Sequence, residues 1–434
     1  MCGIAGFLNY QNSNRDKILD AMNDAIAHRG PDGAGVYLDD MVGLAHRRLA
    51  IIDLQTGDQP MFSADKRYVT IFNGEIYNYR ELREELKNKN CEFRTNSDTE
   101  IIAEAIRVWG ISKAVLKFRG MFAFATYDFH DKKLFLARDR TGIKPLYLTA
   151  KAGTVFFASE QKALLQVPEV SRKIKPTALH DVLTLGFPVT PDTCWEDIQM
   201  FPPAHFAEIS QDGKVEFQRY WQWEYKPENI SFDDALEEAE DVLKSSLKYH
   251  LRSDVPLAAF LSGGIDSSLL VTLLSKGGLV EGLKTFNVGF DEDKYDESGD
   301  AEHVAKIAGS EHSQIRMQGG EGEPDEFEKI IGQYDEPYAD SSCLPTYMIS
   351  REMRKHVKVV ISGDGGDEFF GGYDRFTNVL KIAKLRKLPL KSLARFLVNM
   401  GAPVSGNEFA RKLKSALTMS RVSDKELFCM LHSY

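Results

Sequence analysis

Residues 260–268 read FLSGGIDSS. The apolar run VPLAAFLS (255–262) has the composition of a buried strand, and it feeds Ser262-Gly263-Gly264 before a helix opens near Asp266. Glycine lets the backbone approach a ligand closely, and the free N–H groups of a helix start form an anion nest. Ser262, Ser267 and Ser268 add hydroxyl donors, and Asp266 could hold Mg²⁺ against phosphate oxygens. The GxxxxGK[ST] signature is absent, so this is not the common P-loop. The plainer alternative is a Gly/Ser turn with Asp266 at a helix cap.

Outward from this stretch, residues after Phe232 alternate between helix and strand. DDALEEAEDVLKSSLKYHL, DSSLLVTLLSK and DAEHVAKIAG read as helices; VPLAAFLS, LKTFNVGF and HVKVVISG read as strands. Apolar strands alternating with helices predict a doubly wound parallel α/β sheet. The loop VVISGDGGDEFFGGY (359–373) also follows an apolar strand and places Asp364, Asp367 and Glu368 among glycines. Strand ends gather at one edge of such a sheet, so this loop is expected to face 260–268, where its acids would bind metal or take a proton. A solvated acidic turn is the alternative. A third stretch, YDEPYADSSCLPTYMIS (334–350), would either recognise a polar substrate through Asp335, Glu336 and Asp340 or form an N-cap cluster.

Residues 1–210 follow a different grammar. GIAGFLN and YVTIFNGEIYN read as strands, MFAFATYDFHDKKLFLARD and PLYLTAKAGTVFFASE as hairpins, and RDKILDAMNDAIAHRG and YRELREELKNK as amphipathic helices. Hairpins plus separate helices predict an α+β sandwich. Its polar punctuation carries HRGPDGAG (28–35), HRRLAIID (46–53), NGEIYN (73–78) and NSDTE (96–100). An Arg, an Asn-Gly-Glu and an Asp are what a site needs to grip an α-amino acid. The Arg takes the carboxylate, acids take the ammonium, and Asn73 with the N–H of Gly74 can form an oxyanion hole. Arg47 and Arg48 compete for the carboxylate role, with the other on the surface. Cys2, directly after the initiator, would carry a free α-amine beside its thiol once Met1 is trimmed.

The bulk composition sets bounds. The 434 residues predict two or three domains. A formal charge of −10 argues against a general nucleic-acid binder. The five cysteines are scattered, without zinc spacing, which fits a reducing cytoplasmic setting; the four besides Cys2 are expected to be core residues. No apolar run reaches the ~20 residues of a membrane helix.

CGIAGF, HRGPDG, RLAIID, NGEIYNY, SDTE and ARDRTGIKPLY together resemble the class II glutamine amidotransferase domain, an N-terminal-nucleophile hydrolase. LSGGIDSS, DEPYADSS and SGDGGDEFFGGY resemble the ATP pyrophosphatase domain of glutamine-hydrolysing asparagine synthetases, in that family's order, from Cys2 to about residue 375. The resemblance implies that Cys2 attacks glutamine, with its α-amine as general base. Arg48 would bind the glutamine carboxylate, Glu75 and Asp98 the amino end, and Asn73 with Gly74 the oxyanion. It further implies an internal ammonia channel, ATP at Ser262, Gly263, Gly264, Ile265, Asp266, Ser267, Ser268 and Ser362, and adenylate contacts from Leu261, Val288 and Gly363. Mg²⁺ would sit on Asp266 and Asp367, and Asp364, where many members carry Glu, would accept a proton. Aspartate would be adenylated and then amidated.

The implied domains are 1–210 (glutaminase), 211–231 (linker) and 232–434 (synthetase). The last is expected to be incomplete, because the chain ends at ELFCMLHSY without the Lys-bearing segment and the SLE-type run of the family. Two other readings stand beside asparagine synthesis: a related amidotransferase with another carboxylate acceptor, and a truncated glutaminase or binding protein. Family members often form homodimers. Partners with nucleic acid or membrane are not expected.

Overall fold

The computed structural model describes residues 1–290, 296–317, 324–340, 342–387 and Ser423. The amino-terminal half supplies strands β1 (Gly3–Leu8), β2 (Gly33–Leu38), β3 (Val42–Arg48), β4 (Met61–Phe62), β5 (Tyr68–Ile76), β6 (Gly120–Asp128), β7 (Lys133–Arg138), β8 (Tyr147–Lys151), β9 (Thr154–Ala158), β10 (Gln199–Met200), β11 (His205–Ile209) and β12 (Val215–Arg219). They form two antiparallel sheets of six strands, ordered β10-β8-β9-β1-β3-β2 and β12-β11-β7-β6-β5-β4.

The two sheets stack face to face and carry helices outside. Alternation along β1 shows why. Ile4 and Leu8 point into the layer between the sheets, where they meet Ile71, Ala125, Leu136 and Phe157. Ala5 and Phe7 point the other way, onto Leu19 and Met22 of the helix Arg15–Ala25. On the far side, Phe72, Phe122 and Phe124 pack against the helices Tyr79–Lys87 and Asp98–Trp109. Each sheet is therefore covered on both faces. This explains strands such as FAFATY that are buried throughout rather than on alternate residues. Both expected hairpins form, β6–β7 and β8–β9. His46 lies between the sheets, its Nε2–H donating to the Phe72 carbonyl over 3.2 Å; burial pushes its pKa down to about 3, so the ring is neutral.

Residues 211–231, expected as a linker, begin with β12. It pairs with β11 from His205↔Arg219 to Ile209↔Val215 and extends the second sheet by one edge strand. The alternating VEFQR that follows the Asp212-Gly213 turn is the pattern of a half-exposed edge strand.

The remaining described chain adds β13 (Leu257–Phe260), β14 (Lys284–Phe290), β15 (Glu311–Met317) and β16 (Val359–Ile361) in a parallel sheet ordered β15-β14-β13-β16. Its core includes Leu247, Ala259, Leu261, Val271, Leu274, Ala301 and Ala305. β13 lies between β14 and β16, so chain connections leave it in opposite directions across the sheet. The crevice beyond the carboxyl ends of β13 and β16 is thus the topological switch point, where ligands bind in open α/β sheets.

Candidate functional site

Register places the thiol. Gly3 of β1 pairs with Arg47 of β3, so Cys2 reaches the end of β3, where Arg48 and Leu49 follow. The Leu49 N–H donates to Cys2 Sγ at 3.4 Å, and the thiol lies 3.6 Å from the Leu49 carbonyl. Arg29 Nε donates to the Cys2 carbonyl at 2.9 Å, and its guanidinium is held by Glu160 at 2.7 Å. Burial pushes the thiol pKa up. The α-ammonium of Met1 is pushed down to about 6, chiefly by desolvation and secondarily by the nearby Arg29 and Lys144 cations.

β5 ends beside it. Asn73 is fully buried, and neither its Nδ2 nor its Oδ1 has a hydrogen-bond partner. A buried amide left unpaired costs folding free energy, of order 1–3 kcal/mol, unless a ligand completes it. Gly74 has φ of 152°, and a Cβ there would sit 2.1 Å from the Met121 carbonyl of β6, so only glycine fits. Asp98 opens a helix capped by Ser97, and its carboxylate accepts the Ile76 N–H at 3.0 Å. Burial pushes Asp98 up to about 6; Glu75 is raised by burial and by the Asp98 charge. Arg48 donates to Asp58 Oδ1 at 2.8 Å and to the Asp53 carbonyl at 2.5 Å. Arg47, by contrast, turns away to the Asn23 carbonyl and Asp24. Cys2, Arg48, Asn73, Gly74, Glu75 and Asp98 all line one cavity of about 1830 Å³. An amide, a cation and two adjacent acids around a thiol can hold an α-amino acid by both its charged groups.

The same cavity is walled from the parallel-sheet half by Val359–Ile361, Ser362, Asp364 and Gly365. β13 and β16 pair in parallel from Leu257↔Val359 to Ala259↔Ile361, which brings the loops that follow them side by side. A Cβ at Gly366 would lie 2.6 Å from the Asp266 carboxyl carbon, so glycine is what admits that carboxylate to the loop. Asp367 follows in the short helix Gly366–Phe370, and Asp364 accepts from Ser362 Oγ at 2.8 Å. In the first loop, Gly263 has φ of +88° and Gly264 caps the helix Ile265–Ser275. The Ser262 and Ser267 hydroxyls bond each other at 3.0 Å, and the Gly264 N–H donates to Ser262 Oγ. Ser268 Oγ is buried without a partner, whereas the Ile265 side chain is exposed. The Ser262 N–H donates to Ser267 Oγ at 3.2 Å, and the N–H groups of a first helical turn lack intrahelical acceptors.

Leu261 is fully buried in the core, and its N–H donates to the Phe286 carbonyl at 2.8 Å; Val288 sits near the end of β14, opposite Ile315. Asp335 and Glu336 accept hydrogen bonds from the amino-terminal half, a role that neither sequence alternative named. Asp335 accepts the Lys162 N–H at 3.1 Å and Glu336 accepts the Cys194 N–H at 3.2 Å. Asp340 accepts the Ser342 N–H at 2.8 Å in an Asx-type turn that leads into the helix Cys343–Met353, whose N-cap residue, Ser342, makes no side-chain cap hydrogen bond. Among the other cysteines, Cys91 and Cys194 are buried, Cys343 is half-buried, and Cys429 lies outside the described residues.

Sequence reasoning did not single out Lys144, Asp254 or Lys358. Lys144 lines the cavity beside Cys2. Asp254 receives the Asp53 N–H at 2.7 Å and so braces the loop that holds Arg48. An isolated charge at the edge of an apolar strand was the available signal for Asp254 and Lys358.

No described helix is long and apolar enough to cross a membrane. Residues 1–221 match the glutamine amidotransferase domain family, and residues 238–431 match the asparagine synthase family. The chain is 38% identical over 406 residues to asparagine synthetase [glutamine-hydrolyzing] 1 of Bacillus subtilis, covering 93% of this chain and 63% of that protein. It is 34% identical to a putative asparagine synthetase [glutamine-hydrolyzing] 2 of Methanocaldococcus jannaschii, covering 99% and 86% respectively. A solved glutamine phosphoribosylpyrophosphate amidotransferase of B. subtilis aligns loosely, with a TM-score of 0.39 at 16% identity over 72% of this chain and 65% of that one.

Proposed function

Because the chain belongs to the family of glutamine-hydrolysing asparagine synthetases, we propose that it releases ammonia from glutamine at Cys2 and delivers it to an aspartate activated by ATP at the parallel sheet. The observation that carries this reading is the shared cavity: Cys2 and Asn73 line it from one half, Ser362 and Asp364 from the other.

Glutamine binds with its α-carboxylate at Arg48 and its α-ammonium at Glu75 and Asp98. Burial raises both acids; an incoming cation ionises them and is held by the charge it induces. With Met1 removed, the Cys2 α-amine takes the thiol proton, directly or through water, and the thiolate attacks the side-chain amide carbon. Asn73 Nδ2 and the Gly74 N–H meet the oxyanion, which supplies the partner that the Asn73 amide lacks. The tetrahedral adduct expels ammonia, with the proton returned by the amine. Water then cleaves the thioester to glutamate.

At the second site the nest 262–268 with Ser362 holds the ATP phosphates. The aspartate β-carboxylate attacks the α-phosphorus and pyrophosphate leaves. Ammonia from the cavity displaces AMP, and Asp364 takes the surplus proton. Asp266 and Asp367 offer hard carboxylate oxygens at glycine-bared positions, a donor set suited to Mg²⁺. No group of three or more such side chains occurs among the described residues, so phosphate and water would complete the shell. The ion, when bound, would neutralise charge on the pyrophosphate. The Asp266 carboxylate reaches over Gly366 and supports its place as a donor, while the Asp367 carboxylate lies over Gly372; the free thiols of the described cysteines suit the cytoplasm.

The test is aspartate-dependent pyrophosphate release from ATP and Mg²⁺, with ammonium and then with glutamine. Asparagine formed with either nitrogen source, and glutamate only with glutamine, is the expected result. Glutamate without aspartate-dependent pyrophosphate would leave only the glutaminase half of the reading.

A further inference from the structure

Lys144 belongs to the turn between β7 and β8, in the stretch ARDRTGIKPLY, and is 4% exposed. A buried ammonium is ordinarily paired with a carboxylate, because desolvating it alone is costly. Lys144 has no ion pair within 4.0 Å among the described residues; its Nζ donates to the Met1 sulfur at 3.2 Å. A thioether is a weak acceptor. It is also part of the residue whose removal the proposed chemistry requires. Once Met1 is gone, the described partner of Nζ goes with it. The cation is left in the cavity that Cys2, Asn73 and Glu75 also line.

We propose that Lys144 is a positioning residue for the nucleophile: in the trimmed protein its Nζ faces the Cys2 amine and thiol, keeps the amine unprotonated and favours the thiolate. This deepens the proposed role of Cys2 and rests on the removal of Met1. The physical argument is one of sign. A fixed cation near an amine disfavours its ammonium form, and near a thiol it favours the anion, so both groups reach their reactive forms at lower pH. The other charges around them divide. Arg29 acts in the same sense as Lys144 but is neutralised by Glu160. Asp32, Glu75 and Asp98 act in the opposite sense when ionised. Lys144 is the cation in this set without a carboxylate partner. Its own ammonium is disfavoured by burial and by the Arg29 cation, and Glu75, Asp139 and the Cys2 thiolate offset this in part.

The experiment uses full-length protein whose N-terminus is shown by mass spectrometry to be Cys2. The rate of Cys2 alkylation by iodoacetamide is measured against pH without glutamine, alongside glutaminase kcat/KM, for the wild type, Lys144→Met and Lys144→Arg. Thermal unfolding controls for packing. In the Met variant the alkylation midpoint should move up by about one pH unit; the Arg variant, which keeps the cation, should hold the wild-type midpoint. An unmoved midpoint in a folded Met variant overturns the proposal, even if kcat/KM falls, since a purely structural lysine would lower activity without shifting the titration. Alkylation needs no turnover. Its outcome therefore stays separate from the glutaminase reading, which fails if the wild type releases no glutamate.

Discussion

Asp32 and Lys358 are 326 positions apart in the chain, and their side chains meet at 2.8 Å across the boundary between the antiparallel sandwich and the parallel sheet. Asp32 also accepts the Ala50 N–H at 2.9 Å, on the loop that runs from Arg48 to Asp53. Lys358 directly precedes β16, and Ser362 directly follows it. One carboxylate thus ties the loop that holds the thiol's neighbours to the strand that delivers the second site.

The pair is partly exposed, so it should contribute little to stability. Lys358→Met is expected to cost under about 1 kcal/mol, and less at high salt. The larger effect should be on coupling: glutamate released per asparagine formed should rise above the wild-type ratio. Equal ratios in the two proteins would show that the tie is only structural.

Asn73→Ala should lower glutamine-dependent kcat about 10²–10³-fold, the cost of losing one oxyanion donor. Ammonium-dependent turnover should be unchanged. Because the Asn73 amide has no partner in the described structure, the variant should fold at least as stably as the wild type. A thermal melt together with the two assays separates these outcomes.

Gly74→Ala tests the backbone rather than the chemistry. The added methyl would enter the space of the Met121 carbonyl at a left-handed φ, so destabilisation of about 2 kcal/mol or more is expected by denaturant unfolding. A neutral result would mean that β5 and β6 can separate at this point.

Glu160 and Glu75 should give stability profiles of opposite sign. Burial alone would raise Glu160, but the hydrogen bonds from His28 and Arg29 dominate and hold it at about 2. Its contribution is therefore present above the unfolded carboxyl value of about 4.3 and is lost as pH falls towards 2. Glu160→Gln should flatten that acid limb and cost about 3 kcal/mol at neutral pH, since Arg29 is left buried without its partner. Glu75, raised by burial and by Asp98, contributes stability below its unfolded pKa that is lost as pH rises. Glu75→Gln should stabilise the empty protein at alkaline pH and weaken glutamine binding. Melts across pH, with and without glutamine, check both.

Much of this was legible in the sequence because the relevant signals are local. MFAFATYDFHDKKLFLARD shows a hairpin through its turn chemistry, and FLSGGIDSS shows a strand, a nest and a helix in nine residues. β15 was missed because EHSQIRM carries almost no apolar signal; it forms through its parallel pairing with β14 from Lys284↔Glu311 to Phe290↔Met317. The interface role of Asp335 and Glu336 was not anticipated, for a related reason. A carboxylate that serves an interface looks the same in one dimension as one that serves a substrate, and only the fold brings Lys162 and Cys194 to meet them. Lys144 lay within a stretch used for recognition, yet its lack of a carboxylate partner is a property of the packed site.

The most direct measurement is isotopic. Glutamine labelled with ¹⁵N in its side-chain amide is supplied with aspartate, ATP and Mg²⁺ in the presence of excess unlabelled ammonium, and the asparagine is analysed by mass. Transfer through the cavity that joins Cys2 to Ser362 predicts asparagine that retains the label well above the dilution set by the bulk pool. Label diluted fully to that pool, or an absence of asparagine while glutamate accumulates, would contradict the account.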